Sequence, residues 1–107
     1  MSSLPKQSGN ADDRSDERRK VRFSMIARTA DRTEIPLLVT DLSESGFQAR
    51  SAVEVAPGTT LSLTFPLARA SRAEVRWMRD GEIGCRFERP IEGDDFTELL
   101  VTLWRHG

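Results

Sequence analysis

AEVRWMRDGEIGCRF, residues 73–87, decides the fold of this 107-residue chain. Ala73, Val75 and Trp77 alternate with Glu74 and Arg76, and Ile83, Cys85 and Phe87 alternate with Gly84 and Arg86. A period of two is that of a strand with one buried face. Asp80-Gly81 lies between the two runs, a pair that accepts the positive φ of a two-residue hairpin turn. The stretch therefore predicts a hairpin with Trp77 and Cys85 on its inner face.

The same alternation recurs upstream: Val21, Phe23, Met25 and Ala27; Ile35, Leu37 and Val39; Phe47 and Ala49; Leu61, Leu63 and Phe65. Pro57-Gly58 before the fourth run suits a type II turn. Six short strands, each with one apolar face, bury those faces by closing into a barrel or packing as a sandwich. Downstream the period changes. Phe96, Leu99, Leu100, Leu103 and Trp104 stand at helical spacing, with Asp94 or Asp95 to cap the start and Arg105 near the negative end of the helix dipole. The expected helix covers about residues 95–104, with Trp104 on its buried stripe. Residues 1–17 hold Leu4 as their only large apolar side chain, too little to order them, and read as a flexible arm before a domain at 18–107.

Composition narrows the function. The hydrophobic fraction is 37%, the charged fraction 31% and the formal net charge -1. No apolar run approaches the roughly 20 residues of a membrane span, so membrane insertion is not expected. No signal-peptide pattern opens the chain and Cys85 is its only cysteine, which together suggest the cytoplasm and exclude an internal disulfide. His106, the sole histidine, stands next to the C-terminus, where a catalytic base is poorly held. One Cys and one terminal His do not make a zinc site, and no Gly-rich phosphate loop is present. The chain therefore reads as a binding protein rather than an enzyme, with no metal and no cofactor. The absence of tyrosine, the inward-facing phenylalanines and the lack of net positive charge disfavour DNA or RNA as a partner.

Two local patterns carry chemistry. Arg18-Arg19-Lys20-Val21-Arg22 joins the arm to the first strand, and fourteen of the sixteen cations of the chain are arginines, whose planar forks suit phosphates and guanine edges. Asp41-Leu42-Ser43-Glu44-Ser45-Gly46 connects the second and third strands. Each pattern alone is ordinary: a solvated basic run, and a turn rich in the usual turn formers. Together they supply donors for phosphate and for guanine O6 and N7, and a carboxylate that accepts from guanine N1 and N2, the complement of a guanine nucleotide.

The pair of motifs resembles the signature of the PilZ domain family of bacterial cyclic di-GMP receptors, R-x-x-x-R followed by [D/N]-x-S-x-x-G. Arg18 and Arg22 match the first, and Asp41, Ser43 and Gly46 match the second. The resemblance extends through Pro57-Gly58, Val75-Arg76-Trp77 and Gly84-Cys85-Arg86-Phe87, from about Glu17 to Trp104. It implies a six-stranded antiparallel β-barrel with a C-terminal helix. It also implies that Arg18 and Arg22 grip the phosphates and a guanine edge of cyclic di-GMP, that Asp41 and Ser43 fix a guanine, and that Gly46 leaves room where a side chain would intrude. Arg19 and Arg14 are further candidates of the same chemistry. The expected mechanism is ordering of the arm over the ligand, read by a protein partner. The competing expectations are a PilZ-type protein-interaction module that binds no nucleotide and a small β-barrel that binds nucleic acid.

Overall fold

The computed structural model describes residues 17–66 and 69–106. The expected strands form β1 (Arg19–Arg28), β2 (Glu34–Leu42), β3 (Gly46–Ser51), β4 (Thr60–Phe65), β5 (Arg69–Arg79) and β6 (Glu82–Phe87). They close into an antiparallel barrel in the order β1-β2-β3-β6-β5-β4, followed by the C-terminal helix α1 (Gly93–His106). Closure buries the alternating apolar residues of all six strands around one core, where Phe87 meets Phe47 at 5.6 Å and Phe65 at 6.0 Å between ring centroids. Aromatic pairs at these separations prefer the tilted and edge-on arrangements seen here.

The turns follow their chemistry. Gly58 has φ +94° and the Thr59 N–H donates to the Ala56 carbonyl at 3.1 Å, which fits a type II turn with Pro57 leading. Asp80 and Gly81, with φ of +53° and +79°, close the β5–β6 hairpin by a turn with two left-handed residues.

Helix α1 begins two residues before the expected start and ends two after the expected end. Its N-terminus is tethered from outside: the Gly93 N–H donates to Glu44 Oε2 at 3.3 Å and the Ile91 N–H to the Glu44 carbonyl at 2.9 Å. The buried stripe is narrower than the spacing suggested. Phe96, Leu99 and Leu103 are buried and Leu100 is half-buried, but Trp104 is 86% exposed. At 3.6 residues per turn Trp104 lies about 80° around the helix from Phe96, beyond the line where α1 touches the small barrel.

Three strands carry β-bulges, and these set the positions of the site residues. On β2 the register with β3 slips between Val39 and Asp41. On β1 the register with β2 slips between Lys20 and Phe23, and on β5 the register with β6 slips between Val75 and Trp77. The extra residues on β2 and β5 reverse the side-chain phase of those strands, whereas β1 keeps its alternation through Val21 and Phe23. Leu42 and Met78 thereby turn inward while Asp41 and Trp77 turn outward. The expectation that Trp77 lies on the inner face is corrected for this reason: Met78 packs against the core, and Trp77 is half-buried on the outside.

Candidate functional site

The phase reversals align one lateral row of outward positions across five strands. Lys20 pairs with Asp41, Asp41 with Gln48, Gln48 with Gly84, and Gly84 with Trp77. Above this row opens a cleft of about 150 Å³, lined by Arg18, Asp41, Ser43, Gly46 and Trp77 together with Gln48, Arg76, Gly84 and Arg86 among others.

Gly84 forms the floor because it has no side chain. A β-carbon there would collide with the indole of Trp77, which lies across that point of β6. The Arg79 guanidinium sits 5.8 Å from the centre of the Trp77 ring, near enough for a cation–π contact.

Asp41 stands at the end of β2 with its side chain 13% exposed, 3.4 Å from Lys20 Nζ. The Thr40 hydroxyl lies 3.5 Å from Asp41 Oδ2 and 3.4 Å from the Gln48 carbonyl. Lys20 is largely solvated, so this ion pair contributes little stability, and an incoming donor can replace it at small cost.

Ser43 closes the turn between β2 and β3. Its N–H donates to the Gly46 carbonyl at 2.8 Å, and its Oγ accepts from the Gly46 N–H at 3.2 Å. Ser43 is buried, so its hydroxyl fixes the shape of the turn beside Asp41. Gly46 is required by the barrel itself: a β-carbon there would collide with the backbone carbonyl of Cys85 on β6. The excluded side chain would meet the neighbouring strand, a requirement of the fold that holds whether or not a ligand approaches this glycine.

Arg18 reaches the cleft, where its Nη1 donates to Gln48 Oε1 at 3.3 Å. Arg22 does not. Four residues later and within the irregular stretch of β1 between Lys20 and Phe23, it lines a separate groove against α1, together with Arg19. Arg14 lies outside the described residues, as does all of the expected arm before Glu17.

Arg18, Arg76 and Arg86 line the cleft, where Asp41 is the one lining carboxylate among the described residues; Arg76 Nη1 also stands 4.0 Å from Glu74 Oε1. Such a surface favours an anion that also offers donors to Asp41. Cys85 borders the cleft but is buried, and burial pushes its thiol up to about 12, so it is a packing residue rather than a nucleophile. Among the described residues no three of His, Cys, Asp and Glu gather as metal ligands.

The sequence reading named Arg18, Asp41, Ser43 and Gly46, which meet here, and missed Trp77, Gly84, Arg76 and Arg86 as parts of the same surface. The adjacent apolar pair Trp77-Met78 was the available signal, since a strand that buries one face has no use for two neighbouring large apolar residues unless its phase breaks between them.

Compared with protein-family models, the chain matches that of the PilZ domain over residues 12–103. No curated protein matches it.

Proposed function

The chain belongs to the PilZ domain family, whose domains generally serve as cyclic di-GMP-binding modules, and from that premise we propose that this cleft is a cyclic di-GMP receptor site. One observation carries the reading: a single row across five strands gathers Asp41, Gln48, Gly84 and Trp77 under Arg18 and beside the Ser43–Gly46 turn.

Each part has a task. Asp41 accepts hydrogen bonds from guanine N1 and N2, and Trp77 over Gly84 offers an aromatic face to the base. Arg18, Arg76 and Arg86 meet the phosphates, each charge-assisted hydrogen bond contributing about 1.5–3 kcal/mol. The cleft volume, about 150 Å³, is below the roughly 300–1,000 Å³ of complete small-molecule sites. It therefore seats one end of the dinucleotide and leaves the remainder to residues that move toward it.

Arg22 is the expected mover. Reaching the ligand from the α1 groove requires residues 18–22 to change path, which exchanges chain entropy for contacts to phosphate. Arg19 and Arg14 can join through the same rearrangement, and a protein partner reads the altered surface. Among the described residues no helix is long and apolar enough to cross a membrane, which accords with action in the cytoplasm.

Calorimetric titration of cyclic di-GMP into the wild type, Arg18→Ala and Arg22→Ala, with GTP as control, tests the reading. The expected outcome is saturable, selective binding weakened at least tenfold in each variant. Absence of binding by the wild type would favour the family's other mode, protein interaction without nucleotide.

A further inference from the structure

A second concavity, of about 780 Å³, runs between the start of β1 and the last turns of α1. Its two walls differ in chemistry. The helix wall is apolar: Leu100, half-buried, continues into Val101 and Trp104, which are 44% and 86% exposed. The strand wall is cationic, formed by Arg19, Lys20 and Arg22 over a half-buried Val21. Arg22 has no carboxylate partner among the described residues, and Arg19 has only a 3.6 Å contact with Glu17 between two exposed side chains. Among the described residues no strand pairs along this side of β1, because β4 meets β1 at the pair Arg28 and Ser62, at the far end of the strand.

A tryptophan exposed to this degree on a small domain, beside an arginine with no carboxylate partner among the described residues, combines the two residue types that most often anchor protein interfaces. We propose that the groove is a docking site for an acidic peptide segment of a partner protein, one that sets large apolar side chains on Trp104 and Leu100 and carboxylates opposite Arg22 and Arg19. Charge complementarity selects the acidic partner, since the lining holds cations and no carboxylate. The recessed floor favours an inserted peptide over a flat anionic membrane, because Leu100 and Val21 are reached only by a side chain that enters the groove. The groove is separate from the cyclic di-GMP cleft but shares Arg19 and Arg22 with the ligand response proposed above, so peptide binding is measured without nucleotide.

The test uses the full chain. A display library of random 16-residue peptides is selected on the wild type and counter-selected on Trp104→Ser, whose fold is verified by thermal denaturation. Enriched peptides are expected to be net acidic with large apolar residues. Their binding should weaken at least tenfold in Trp104→Ser and in Arg22→Glu, and should weaken further as salt is raised. Asp41→Ala should bind them as the wild type does, and Trp104→Ser should bind cyclic di-GMP as the wild type does, so failure at one site is read separately from failure at the other. The proposal is overturned by the absence of enriched sequences, by basic or neutral ones, by equal binding to Trp104→Ser, or by Trp104-dependent binding to phosphatidylglycerol vesicles in place of peptides.

Discussion

The regular part of the barrel wall and its bulged rim are made of the same strands but obey different rules. In the regular part, Met25, Ala27, Ile35, Leu37, Leu61, Leu63 and Phe65 are all buried, and every intervening residue faces outward or is partly exposed. At the rim, β1, β2 and β5 each carry one extra residue. Without the bulge at Thr40, Asp41 would follow Ile35, Leu37 and Val39 into the core, where an unpaired carboxylate costs several kcal/mol. With it, Leu42 takes the inner position and Asp41 the outer one. The comparison teaches that the wall holds the fold and the phase breaks aim the site, so the two should respond separately to substitution.

The largest effect is expected in the wall. Leu61 is fully buried, and Leu61→Ala should cost about 2–5 kcal/mol in denaturant unfolding through the cavity left behind. Whatever fraction remains folded should bind cyclic di-GMP with unchanged affinity.

Gly46→Ala is the substitution that breaks the separation. Its β-carbon would press on the Cys85 carbonyl, and forced overpacking of this kind costs about 1–3 kcal/mol. Because the strain falls at the mouth of the cleft, stability and ligand binding should fall together.

Asp41→Ala sharpens the comparison from the other side. Its ion pair with Lys20 is weak, so stability should change by less than about 1 kcal/mol. Affinity for cyclic di-GMP should fall at least about tenfold, equivalent to about 1.4 kcal/mol.

Cys85 probes the boundary between the two regions. Burial raises its thiol from an ordinary value of about 9 to about 12. The folded protein should resist alkylation at pH 8 and react once unfolded. Because the folded state keeps the neutral thiol, this contribution to stability is complete below the unfolded value and is lost as pH rises from about 9 toward about 12.

The smallest effect lies in the β1–β2 hairpin, far from the rim. Hydrogen bonds from the Thr29 hydroxyl and then the Thr33 hydroxyl hold the Asp31 carboxyl below its usual range. Their support is present at neutral pH and is lost as pH falls through that lowered value. Asp31→Asn should leave ligand binding untouched and change Tm only near the limit of detection, since the group is fully exposed.

The regular wall was legible in the sequence because strict alternation has one interpretation. All six strands, the Pro57-Gly58 turn and the Asp80-Gly81 turn appear where their residues placed them. The motif residues Asp41, Ser43 and Gly46 were legible as a turn, and Arg18 as its neighbour. What escaped was everything that depends on phase. Trp77 was placed inward because alternation was carried through a bulge, and Trp104 because five apolar positions on α1 suggested a wider contact than a small barrel provides. Gly84 falls within the family resemblance, but alternation assigns it no role, which is defined by the indole laid across it. Arg18 lines the cleft and Arg22 the α1 groove, a separation that a four-residue spacing does not reveal.

The most direct test of the central claim is a nitrogen-15 NMR titration of the full chain with cyclic di-GMP. Saturable shifts are expected at the amides of Asp41, Gln48 and Gly84 and at the Trp77 indole N–H, with all of them suppressed in Asp41→Ala. Binding that leaves this row unmoved, or no binding at ligand concentrations that saturate other receptors of the family, would contradict it.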